Sequence, residues 1–84
     1  HARARKLAEA IDNMEDFTVN LKQVQTNMLN IACEEGGADD LVSRLSEHGV
    51  DTLSIDDSSI RAVTHLHITD EDIDRSIAAF EASQ

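Results

Sequence analysis

Apolar residues recur along this chain with two different periods, and the switches between them lay out its elements. Ala4, Leu7, Ala8, Ile11 and Met14 are spaced three and four apart. That spacing puts them on one face of a helix, with Arg3, Arg5, Lys6, Glu9 and Asp12 largely elsewhere. It predicts a first helix ending near Asn13. From 26 to 33 the period falls to two. Asn27, Leu29, Ile31 and Cys33 alternate with Thr26, Met28, Asn30 and Ala32, as in a strand with one more apolar face. Gly36-Gly37 breaks the alternation, and Ala38, Leu41, Val42 and Leu45 resume helical spacing as far as Gly49, where a left-handed residue would close the helix. A second helix is expected over 38–48.

Two short β-like runs follow, Val50 to Ile55 and Ile60 to Leu66, separated by Asp56-Asp57-Ser58-Ser59. Side chains of that kind bond their own backbone and favour turns, so the pair reads as a hairpin. Thr69 is a helix N-cap with Asp70, Glu71 and Asp72 behind it, where the positive end of the helix dipole favours acids. Asp72 stands at the third position of a capping-box variant, and Ile68 and Ile73 at the two positions of a hydrophobic staple. Ile73, Ile77 and Phe80 form the buried stripe of a last helix that frays toward Gln84. The order helix-strand-helix-strand-strand-helix predicts a small α+β fold, with helices packed on one face of a mostly antiparallel sheet.

Length makes this one domain, 1–84. A chain of this size buries roughly 60–65% of its unfolded surface and cannot form a two-domain enzyme with its own cofactor cleft. With 40% hydrophobic and 29% charged residues, it has enough apolar area to offset chain entropy and fold. Its net charge of −10, from 17 acidic and 7 basic residues, opposes phosphate backbones and anionic lipid. Phe17 and Phe80 are the only aromatics, too few for base stacking. His1, Arg3, Arg5 and Lys6 cluster at one end, as a solvated helix face does. Partners are therefore expected to be neutral or basic proteins or another subunit, and not nucleic acid or membrane. One cysteine, Cys33, excludes an internal disulfide and points to a reducing, cytoplasmic setting. The chain opens at His1 on residues that already read as helix, which is expected of a domain cut from a longer polypeptide.

Arg61 is the leading candidate for chemistry. A guanidinium offers five donors in a planar fork that matches a carboxylate bidentately, and a strand backbone aims it rigidly. The plainer alternative is a surface arginine paired with one of the acids. Asp56-Asp57-Ser58-Ser59 lacks the alternate oxygen ligands and closing Glu of a calcium loop, and it precedes a strand and not the helix a carrier serine opens, so it reads as a turn. His65 and His67 share one strand face but are two ligands only; with His48 and Cys33 unplaced, a zinc site is not supported. Thr64 and His65 have no partner arranged for nucleophilic chemistry. Cys33 precedes Glu34 and Glu35, whose charge would raise its pKa, and reads as a small packed residue. Lys6 and Lys22 sit in polar surroundings that do not suit a Schiff-base amine.

Several stretches, in order, resemble the threonine aldolases, pyridoxal-phosphate enzymes of the aspartate aminotransferase fold group. They are the opening helix His1 to Ala10, Gln25-Thr26-Asn27-Met28, Leu45-Ser46-Glu47-His48-Gly49-Val50, Arg61-Ala62-Val63-Thr64-His65-Leu66, and the helix start Ile68-Thr69-Asp70-Glu71-Asp72-Ile73. The resemblance implies the C-terminal small domain of a lyase that cleaves threonine-like β-hydroxy-α-amino acids to glycine and an aldehyde, an aldehyde-lyase of amino acid metabolism. It also implies a homo-oligomer, usually a tetramer. In that family a large domain carries the Schiff-base lysine, the cofactor phosphate site, an aspartate on the pyridine nitrogen and histidines near the substrate hydroxyl, and none of these maps onto this chain. Arg61 alone carries over, as the residue that grips the substrate carboxylate; Thr64 and His65 would support its strand. The segment by itself is not expected to be active, and β-eliminating lyases share the fold. The rival reading is a stand-alone acidic protein-interaction module in which Arg61 is merely a surface residue.

Overall fold

In the computed structural model, residues 2–23, 28–63 and 69–84 are described. Helix α1 spans Ala2–Asp12, strand β1 Thr18–Val19, a single 3₁₀ turn Leu21–Gln23, β2 Met28–Ala32, α2 Ala38–Glu47, β3 Thr52–Asp56, β4 Ser59–Val63 and α3 Asp70–Ala82. The four strands form one antiparallel sheet in the order β1-β2-β4-β3. This is the expected α+β arrangement, enlarged by β1. Two residues are too few to show a period in sequence, and β1 exists because Thr18 and Val19 pair with Ala32 and Ile31 at the edge of β2.

Alternation decides which face of the sheet is covered. Leu29 and Ile31 of β2 and Ile60 and Ala62 of β4 point to the buried side, while Met28, Asn30 and Ala32 and then Arg61 and Val63 point away. Helix α1 lies against β1 and β2, α2 against β3 and β4, and α3 against α1. The apolar stripe Ala4, Leu7, Ala8 and Ile11 of α1 is buried, as its spacing predicts. Phe80, Ile11, Leu29, Ile31, Leu45, Ile60 and Ile73 are the largest fully buried side chains, and each contributes roughly 1.5–3 kcal/mol through the water it excludes. Phe17 and Phe80 meet edge to face with centroids 5.6 Å apart, which locks the β1 end of the sheet to the last helix.

The helix ends follow the signals read above. After α2, the Gly49 N–H bonds Ser46 O and the Val50 N–H bonds Leu45 O. This is the Schellman pattern, and Gly49 sits at φ +83° as that pattern requires. At the start of α3, Thr69 Oγ1 accepts from the Asp72 N–H and the Asp72 carboxylate accepts from the Thr69 N–H, completing the capping box. The expected staple residue Ile68 lies outside the described residues. So do Thr26 and Asn27 of the first predicted strand and Thr64 to Leu66 of the last.

Candidate functional site

Arg61 occupies the centre of β4, an interior strand, with Asn30 of β2 directly opposite on one side and Leu53 of β3 on the other. Its side chain is on the uncovered face of the sheet, and its Nε–H donates to Asn30 Oδ1 at 3.3 Å. Around it stand Val63, 45% exposed, Met28, 46%, and Leu53, 71%. These side chains make the uncovered face of the sheet around Arg61 partly apolar. The immediate cross-strand and along-strand neighbours of Arg61 (Asn30, Leu53, Ser59 and Val63) include no acid.

The contrast with the other cations sharpens the point. Arg3 pairs with Asp70 at 3.0 Å, Arg5 with Glu9 at 3.2 Å and Lys6 with Asp74 at 3.1 Å, while Arg44 pairs with Asp40 and Arg75 with Asp72. Five of the seven basic residues therefore meet a carboxylate. Among the described residues Arg61 meets none.

Asp56-Asp57-Ser58-Ser59 is the hairpin turn expected. Asp56 Oδ1 accepts from the Ser58 N–H at 2.9 Å and from the Ser59 hydroxyl at 2.8 Å. The Ser58 backbone bond above all, then the Ser59 hydroxyl, holds its carboxyl below the usual aspartate range. Cys33 is half-buried, just past β2. Burial, followed by the charges of Asp56 and Glu34, pushes its thiol up. The direction is the one read from Glu34 and Glu35, but desolvation is the main cause and Glu35 is not among the sources. His48 is the exposed C-cap of α2, whereas Thr64, His65 and His67 lie outside the described residues. Among the described residues no group of three His, Cys, Asp or Glu side chains is placed to hold a metal ion. Lys6 is tied to Asp74 across the α1–α3 contact, and Lys22 is exposed on the 3₁₀ turn, so neither is desolvated as a Schiff-base lysine would be.

A recess of about 390 Å³ opens elsewhere, lined by Glu15, Asp16, Cys33, Glu34 and Arg44 among others and without Arg61. Its one cation is already engaged: Arg44 Nε bonds Asp40 Oδ2 and Nη1 bonds Ser83 O, each at 2.9 Å. With three carboxylates in its wall, this recess repels anions. The residue that sequence reasoning missed is Asn30. The sequence places it only on the less apolar face of an alternating strand, and its meeting with Arg61 depends on a register between positions 31 apart that no local pattern reveals.

No protein-family model matches the chain. Two curated relatives that it matches are threonine aldolases by name. Low-specificity L-threonine aldolase 1 of Arabidopsis thaliana is 33% identical over 84 residues, covering 96% of this chain and 24% of its own length. The probable low-specificity L-threonine aldolase 2 of the same plant is 32% identical with the same coverage. Among solved structures, the aminotransferase TlmJ from Streptoalloteichus hindustanus superposes with a TM-score of 0.74 over 98% of this chain and 31% of its own, at 16% identity. That likeness shows a shared fold. The chain spans about a quarter of the length of the curated relatives it matches.

Proposed function

We propose that this chain is the C-terminal small domain of a pyridoxal-phosphate-dependent lyase of the threonine aldolase kind, and that Arg61 binds the α-carboxylate of its amino-acid substrate. The observation that carries the reading is the state of Arg61: an arginine on the open face of the sheet, with no carboxylate partner among the described residues. The homology to threonine aldolases along almost the whole chain supports it.

The described residues do not fit the cofactor. Lys6 and Lys22 are ion-paired or exposed, so the Schiff-base lysine and the phosphate site belong to the remainder of a longer polypeptide. Pyridoxal phosphate, when bound, supplies a sink for electrons released at the α-carbon. In the net reaction the bond between the α- and β-carbons breaks, the β-hydroxyl becomes the aldehyde carbonyl, and a proton ends on the α-carbon of glycine. This domain contributes position. A fork fixed on an interior strand holds both carboxylate oxygens and sets the rotation of the α-carbon, so that the breaking bond is presented in one orientation. Met28, Leu53 and Val63 around the fork suit the contact with the large domain. The resemblance further implies a homotetramer in the cytoplasm.

Arg61→Lys in the full-length polypeptide tests the role, because lysine keeps the charge and loses the bidentate fork. The reading expects kcat/KM for threonine to fall on the order of 10²-fold with the fold intact. An unchanged kcat/KM would return Arg61 to an ordinary surface residue and favour the interaction module.

A further inference from the structure

Resting on the carboxylate role of Arg61, we infer that Asn30 is its positioning residue. Asn30 holds the guanidinium by its Nε–H, so that the carboxylate is received on the Nη1/Nη2 end of the fork. The two residues are directly opposed across β2 and β4, and Asn30 Oδ1 accepts from Arg61 Nε at 3.3 Å. A guanidinium has two bidentate edges, Nε with one terminal nitrogen, or the two terminal nitrogens together. With Nε engaged by Asn30, the first edge is closed to a carboxylate and the second is left.

The chemistry at position 30 suits this. A neutral amide oxygen satisfies one N–H without cancelling the positive charge. An aspartate there would form an ion pair and fill the site, as acids do for the five paired cations elsewhere. An apolar residue would leave the long side chain free to rotate. Strand backbones fix both Cβ atoms, so one hydrogen bond removes most of the freedom that the side chain would otherwise lose on binding. Met28 and Val63, paired across the same two strands, and Leu53 on the other side border the fork with apolar surface.

The experiment is nitrogen-15 NMR of the arginine Nε–H and terminal N–H groups in the 84-residue chain, titrated with sodium acetate against sodium chloride at matched ionic strength. The variants are Asn30→Leu, Asn30→Asp and, as a control on the carboxylate role itself, Arg61→Lys. Position 30 is exposed, and an unchanged amide spectrum certifies each fold. In the unmodified chain the Arg61 Nε–H should exchange slowly with water, and acetate should shift the terminal groups and leave Nε in place. Asn30→Leu should speed that exchange about tenfold and weaken acetate binding about three- to tenfold, the scale of one lost hydrogen bond to a charged group. Asn30→Asp should keep Nε protected yet abolish the acetate response. Rapid Nε–H exchange that Asn30→Leu does not alter would overturn the inference, as would acetate displacing the Nε contact. A slow, Asn30-dependent Nε–H with no acetate response at Arg61 would instead remove the carboxylate role and leave the Asn30 contact standing.

Discussion

Thr52 carries its side chain to the covered side of the sheet, opposite Ala62. It is 8% exposed, and its hydroxyl has no hydrogen-bond partner among the described residues. A hydroxyl in that position loses water and gains nothing, a penalty of about 1–3 kcal/mol. Thr52→Val keeps the shape and the β-branch and removes the penalty. Urea denaturation should show the variant stabilised by about 1 kcal/mol, whereas a loss of stability would mean that the hydroxyl is satisfied. Arg61 is the converse case, a polar group left open where the sheet is apolar. An apolar replacement should therefore be tolerated at Thr52, whereas the role proposed for Arg61 requires the guanidinium fork itself. The placement of Arg61 on a strand is legible in sequence. The contacts of Asn30 and Thr52 are not, because they depend on which residue lies across the sheet.

Elements with strong local signals were legible in sequence because their determinants are local. The α1 stripe, the Asp56–Ser59 turn and the Thr69–Asp72 capping box each need contacts within a few residues. Strand β1 needs Ala32 and Ile31, more than ten positions away. The irregularity in β3 is likewise imposed by its partner: pairing runs Ser54 to Ile60 and then Asp56 to Ser59, so Ile55 bulges outward and is 45% exposed. The C-terminus of α2 offers a clean test. A Cβ at Gly49 would meet nothing within 4 Å, so Gly49→Ala has no steric clash and reports only the left-handed backbone. Calorimetry should find a destabilisation of about 1 kcal/mol. A neutral result would show that α2 ends without the Schellman turn.

In a molecule of net charge −10, two ion pairs stitch α1 to α3, Arg3–Asp70 and Lys6–Asp74. These pairs are half exposed or more and contribute little individually. Acid should act through hydrogen-bonded carboxylates. Asp56 is held low chiefly by the Ser58 backbone and Asp72 chiefly by the Thr69 backbone. Their folded values lie below the unfolded one, near 3.9. The stability they contribute is therefore complete above that value and is lost as pH falls through the depressed folded values. The melting temperature should hold from neutral pH to about 5 and drop below about 4. Asp72→Ala should melt lower at pH 7 and lose less on acidification, and an equal acid loss would assign the effect to other carboxylates. No helix among the described residues is long and apolar enough to cross a membrane.

On the proposed reading, these 84 residues serve a pyridoxal-phosphate lyase whose cofactor is bound elsewhere in the polypeptide. Its most direct test is the intact mass of the native polypeptide after borohydride reduction, which fixes a Schiff-base cofactor to its lysine. The expected result is a chain several times longer than 84 residues, with a pyridoxyl adduct on a lysine other than Lys6 or Lys22. A native chain of this length without an adduct would contradict it and leave the acidic interaction module in its place.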